Sequence, residues 1–144
     1  MSHLKCTPSR RRGNAALDAA LVFPVLMLLT FGCVEFGHYF YIKHTLQGAS
    51  REGARAAATG VSNTEVTLAV TNVMTAAGII PAKYTTTITD TNNAPITITS
   101  STPVAGTAIV VKVTCSWGTV GVRPMGLMDT SKQVIGVTTM RREG

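Results

Sequence analysis

From Ala15 to Ile42 the chain is almost continuously apolar, most densely over Ala19 to Val34, AALVFPVLMLLTFGCV. Asp18 and Glu35 bracket that stretch. They stand about 25 Å apart at the α-helical rise, close to the ~30 Å hydrocarbon thickness of a bilayer. The pattern predicts one membrane-spanning helix over about 17–41, with Tyr39 and Tyr41 at the interface where aromatic rings settle. Pro24 lies inside the span, where it removes one backbone hydrogen bond and predicts a kink or local loosening. The helical pattern then continues past the membrane. Ile42, Leu46, Ala49, Gly53, Ala56 and Ala57 recur at steps of three and four, one stripe of an amphipathic helix. Lys43, Gln47, Arg51 and Arg55 form a second stripe, and Glu52 is spaced to pair with Arg55. Gly48 and Gly53 weaken a helix relative to alanine, so each is expected to serve close packing. Gly60 suits the residue just past a helix end. One helix is therefore expected from Asn14 to Ala58, half in lipid and half projecting outward.

Beyond it the periods shorten. Ser62-Asn63-Thr64-Glu65 reads as a capping box opening a short helix. Val66, Val70, Val73 and Ala77 give that helix an apolar face, and Gly78 followed by Pro81 ends it. Two threonine-rich runs, from Tyr84 to Thr89 and from Pro95 to Thr99, flank Asn92-Asn93 and predict a hairpin. Ile109, Val111, Val113, Cys115 and Trp117 alternate over Thr107 to Trp117, the clearest strand pattern in the chain. A last strand is expected over Lys132 to Met140. The fold class is thus α+β, a long N-terminal helix packed on a small antiparallel sheet of three to four strands. Its parts are a basic leader at 1–13, the long helix at 14–60 and a head at 61–144.

Charge changes the picture through its position. The 144 residues carry a formal net charge of +6, yet only 14% are charged and 6% aromatic. A typical soluble domain has about 25% charged residues. Basic density and stacking rings are both too thin for a nucleic-acid surface. Four of the 13 basic residues, Lys5, Arg10, Arg11 and Arg12, sit in the first thirteen positions without an acid. Basic residues directly before an apolar span stay in the cytoplasm, which puts the remainder of the chain outside. A twin-arginine export signal fits less well, because the apolar run is long and lacks a small-residue cleavage site.

The strings RRRGNAALDAALVFPVLML, FGCVEFGHYFY and ASREGARAAATG together resemble type IV pilin-like proteins. More narrowly they resemble the TadE-like family of minor pseudopilins of the tight-adherence (Tad, Flp-type) pilus. Pro24, Glu35, Gly37 and Arg51 through Arg55 fit that family's pattern, and Met140 through Glu143 look like its C-terminal ending. The resemblance implies cleavage by prepilin peptidase between Gly13 and Asn14. It makes Asp18 the fifth residue of the mature chain, where the family usually has Glu; Ala19 follows where an aromatic is frequent. It also implies other pilin-like subunits and the pilus assembly platform as partners. Precursor and mature form would occupy the cytoplasmic (inner) membrane and a cell-surface pilus, respectively.

Chemistry of other kinds is not suggested. Cys6, Cys33 and Cys115 fall in leader, span and sheet, which supports no disulfide framework. His38 and His44 share no helical face well and have few acids nearby, so no metal site is expected. No nucleophile–base set, phosphate loop or HExxH motif occurs, and no catalytic residue or cofactor is assigned. Three functions remain open on the residues. They are a cleaved pseudopilin for adhesion or secretion, an uncleaved membrane-anchored binding module, and a major fibre subunit.

Overall fold

The computed structural model describes residues 11–99 and 102–143. Helix α1 runs from Arg11 to Ala58 as 48 residues and passes without a break through Pro24. At 1.5 Å per residue it is about 72 Å long. Residues 1–10 of the expected leader, with His3, Lys5, Cys6 and Arg10, lie outside the described residues. Helix α2 spans Asn63–Ala76. Its capping box is formed: Ser62 Oγ accepts from the Glu65 N–H, and the Glu65 carboxylate accepts from the Ser62 N–H at 2.9 Å. Gly60 and Gly78 close the two helices with φ of +81° and +76°, a region open to glycine at little cost.

After a 3₁₀ turn at Pro81–Lys83 come β1 (Tyr84–Thr89), β2 (Ala108–Ser116), a single helical turn α3 (Trp117–Val120) and β3 (Gln133–Arg141). The sheet order is β1-β2-β3, antiparallel throughout. Tyr84 faces Cys115 across β1 and β2, and Ala108 faces Arg141 across β2 and β3. On β2 the burial alternates residue by residue, placing Ile109, Val111, Val113 and Cys115 inward.

The hairpin expected around Asn92-Asn93 forms at its turn and for one residue pair beyond it. Asp90 Oδ1 accepts the Asn92 and Ala94 N–H groups at 2.7 and 2.8 Å, and one bridge joins Thr89 to Pro95. Past it one further bond runs from the Ile96 N–H to the Ile88 carbonyl at 3.3 Å, and the chain then turns to a side chain. Asn63 Nδ2 donates to the Ile96 carbonyl at 2.9 Å, and its Oδ1 accepts the Ile98 N–H at 2.7 Å. That amide takes the backbone groups a fourth strand would have used, and Ile98 enters the core. The sheet therefore has three strands.

The core lies between the outer half of α1, α2 and the inner face of the sheet. Leu46, Ala49 and Ala57 meet Val66, Val70, Met74, Val111 and Val113 there, all fully buried. Two glycines set how closely the layers approach. A Cβ at Gly53 would stand 2.7 Å from Val70 Cγ2 and 3.0 Å from Val111 Cγ1. A Cβ at Gly136 on β3 would collide with the backbone of Leu46 and Gln47. Gly48 has nothing within 4 Å of its Cβ position, so the close packing expected there is not formed within the chain.

The second polar stripe of α1 divides. Lys43 Nζ donates to the Ile135 carbonyl at 2.6 Å and Gln47 Nε2 to the Val137 carbonyl at 2.9 Å. Buried Ser50 lies 2.8 Å from Thr138 Oγ1. Lys43 and Gln47 occupy carbonyls and Ser50 a hydroxyl along β3, an edge strand that would otherwise offer a free pairing surface. Arg51 and Arg55 instead are exposed.

Candidate assembly and membrane face

The inner half of α1 has almost no protein partner. None of its most apolar 18-residue window is buried. Leu17, Leu21, Phe23, Val25, Leu28 and Leu29 are each more than half exposed. The helix is long and apolar enough to cross a membrane once. Its one hydroxyl over this stretch is satisfied internally, with Thr30 Oγ donating to the Leu26 carbonyl at 2.8 Å. Asp18 and Pro24 are exposed on this half. The backbone at Arg11, Arg12, Gly13 and Asn14 is helical; their side chains are outside the described residues.

Glu35 behaves differently from Asp18. It is fully buried, and its Oε1 accepts the Met128 N–H at 2.9 Å. The buried Oε2 has no hydrogen-bond partner among the described residues. One turn further along α1, His38 Nε2 donates to the Val120 carbonyl at 3.0 Å. The segment between α3 and β3 is thus fastened at both ends to one turn of α1.

Trp117 forms the floor of this clasp. It is fully buried, with ring centroids 5.8 Å from His38 and 5.6 Å from Tyr39. Gly121 lets the chain turn over the indole, since a Cβ there would stand 2.5 Å from the ring. Backbone bonds from Trp117 to Lys132 and from Gly118 to Thr130, at 2.8 and 3.0 Å, close the base of the loop. Lys132 Nζ sits 5.1 Å from the Tyr39 ring centroid, a cation–π contact just past the apolar run of α1. On the loop's outer side the Ser131 N–H bonds Asp129, holding that carboxyl below its ordinary range.

Gly13 and Asn14, where cleavage is expected, belong to the first turns of α1, and Asp18, the expected assembly residue, is exposed a turn further on. Glu35 is built into the head, and Gly53 into the helix–sheet contact. Arg51 and Arg55 stay on the surface. Sequence reading missed the clasp partners Val120 and Met128 and the close approach at Gly136. Glu35 and Met128 are 93 positions apart, and no local period joins them. An isolated glycine inside the β3 pattern is the signal that could have marked Gly136.

The family model described as TadE-like protein matches residues 13–55. That match begins at the glycine before Asn14 and ends inside the packed half of α1. Searches of curated proteins and of solved structures return no match.

Proposed function

We propose, for a chain that is TadE-like over residues 13–55, that it is a minor pseudopilin of a Tad-type pilus. It is made as a single-pass precursor in the cytoplasmic membrane. The leader with Arg10, Arg11 and Arg12 stays inside and the head at 61–144 lies outside. Prepilin peptidase cuts between Gly13 and Asn14, and the mature helix at 14–60 joins other pilin-like subunits on the assembly platform. The observation that carries this reading is the long, apolar and unpacked half of α1 in a chain whose other half already has its core. Such a helix has two ways to hide its surface, in lipid before assembly and in a bundle of like helices afterwards.

The charge chemistry is consistent with that exchange. Cleavage creates a new α-amine on Asn14, cationic near neutral pH. In a helix bundle of low dielectric, that amine and the Asp18 carboxylate of a neighbouring subunit offset each other, where either alone is costly. The reading assigns the protein a structural role, in pilus biogenesis for adhesion or secretion, rather than a catalytic one.

N-terminal sequencing of the protein from membranes and from sheared fibres tests the proposal. Asn14 as the first residue is expected; Met1 retained in assembled surface material refutes it in favour of an uncleaved binding module. High copy number in the fibres would make it a major subunit instead. Asp18→Ala is expected to abolish co-assembly with other subunits while leaving the head folded.

A further inference from the structure

The loop Gly121–Met128 reads Gly-Val-Arg-Pro-Met-Gly-Leu-Met and contains one charge, Arg123. Val122, Met125 and Leu127 are 48%, 39% and 52% exposed. An apolar loop tip on a head of polar threonines calls for a partner. Its position along α1 identifies one. Leu127 Cδ1 comes within 3.9 Å of where a Cβ of Gly32 would stand. Gly32 lies on the membrane side of Glu35, by about 4.5 Å along the helix axis. At the same level α1 exposes Leu28, Leu29, Phe31 and Phe36. The loop therefore shares the depth of the apolar span and continues its surface. Its hold is firm, through the Met128 N–H on Glu35 and the Val120 carbonyl on His38.

We propose that Gly121–Met128 is a second membrane contact, in which Val122, Met125 and Leu127 enter the outer leaflet beside α1. The occupant of this surface is lipid. Continuity with the spanning helix supplies the apolar match, and the exposed Arg123 supplies a cation for a headgroup phosphate at the loop's polar margin. Glu35 acts here as a positioning residue: it fixes the depth of the loop by holding Met128 and touches no lipid itself. The contact would fix the tilt and rotation of the head above the bilayer, as interfacial anchors do for membrane helices. It rests on α1 spanning a membrane, and it applies to the membrane-held form whether or not Gly13–Asn14 is cut.

Spin labels on the full chain in lipid nanodiscs test it. Single sites Met125→Cys and Leu127→Cys are placed in a Cys6→Ser/Cys33→Ala background, with buried Cys115 retained. Collision with dissolved oxygen, which prefers lipid, is compared with collision by a nickel chelate, which stays in water. Phe31→Cys gives the lipid reference and Ile80→Cys, on the exposed surface of the head, the water reference. The expected result is a shift of both loop sites from the water-like ratio at Ile80 to the lipid-like ratio at Phe31. Adding Glu35→Ala should move the loop sites back toward water while Phe31 is unchanged. Nickel access at positions 125 and 127 equal to that at Ile80 overturns the proposal. So does label–label broadening between copies, which would give the surface to a second chain. Nickel access at Phe31 as well would remove the membrane reading with it, whereas an uncut Met1 would remove only the pilin reading.

Discussion

The two halves of α1 are one continuous helix with opposite surroundings. From Ile42 to Ala58 the residues facing α2 and the sheet are buried to the last few per cent. From Ala15 to Val34 the side chains are larger and more apolar, yet they lie open. Apolar content alone therefore does not decide burial. The outer half uses small residues, Ala49, Gly53, Ala54 and Ala57, which let a helix and a sheet close on it. The inner half uses Leu, Phe, Val and Met, which suit a fluid apolar solvent and need no matched partner. The clasp at Glu35 and His38 marks where one regime gives way to the other.

Substitutions can break that contrast from either side. The largest effect is expected from Gly136→Val, which drives a branched side chain into the backbone of α1 at Leu46. Overpacking typically costs about 1–3 kcal/mol and more where only backbone can yield; chemical denaturation of the head should show a loss at or above the upper figure. Glu35→Ala comes next. It leaves the Met128 N–H without its acceptor, a cost of about 1–3 kcal/mol if that amide stays buried. Amide hydrogen exchange should speed up at Met128 and the neighbouring loop, with Leu46 and Val111 unaffected. Glu35→Gln, which retains an acceptor oxygen, should exchange more slowly than Glu35→Ala.

A smaller effect concerns pH. Burial pushes the Cys115 thiol up to about 11 from an ordinary 9.0. Its folded pKa exceeds its unfolded one, so this contribution is complete below about pH 9. It is lost as pH rises toward 11, because only the unfolded chain readily ionises the thiol. Thermal melts of the wild-type head should fall over that window more steeply than those of Cys115→Ala. The smallest change expected is a gain. Gly48→Ala adds helix propensity worth up to about 1 kcal/mol where nothing obstructs a methyl. The same substitution at Gly53 should instead destabilise, because Val70 and Val111 are stiff at χ1 and stand in the way. Equal responses at the two positions would erase the distinction drawn between them.

Much of this architecture was legible because it is written in local periods. The apolar run, the capping box at Ser62 and the alternation on β2 each state their element within a few residues. What escaped was carried by single contacts across long separations. Glu35 looked like a marker of the span's end, and only the folded chain brings Met128 to it. Lys43 and Gln47 stood out only as part of a second stripe on α1, and the folded chain brings the β3 carbonyls to them. The run from Pro95 to Thr99 had strand composition, but Asn63 offered its backbone groups a better-placed amide. The candidate site divides in the same way. Gly13 and Asn14 were suggested by resemblance alone, and Asp18 by its charge at the edge of the apolar run as well, since the inner half of α1 keeps few contacts inside its own chain.

Along its length α1 is expected to pass from lipid into protein. Single cysteines at Val25 and Thr59, with Cys6 and Cys33 removed, test it most directly in sealed nanodiscs probed by a membrane-impermeant maleimide. No labelling of Val25→Cys is expected until the bilayer is dissolved and the helix unfolded, with prompt labelling of Thr59→Cys throughout. Prompt labelling of Val25→Cys in the intact bilayer would contradict it.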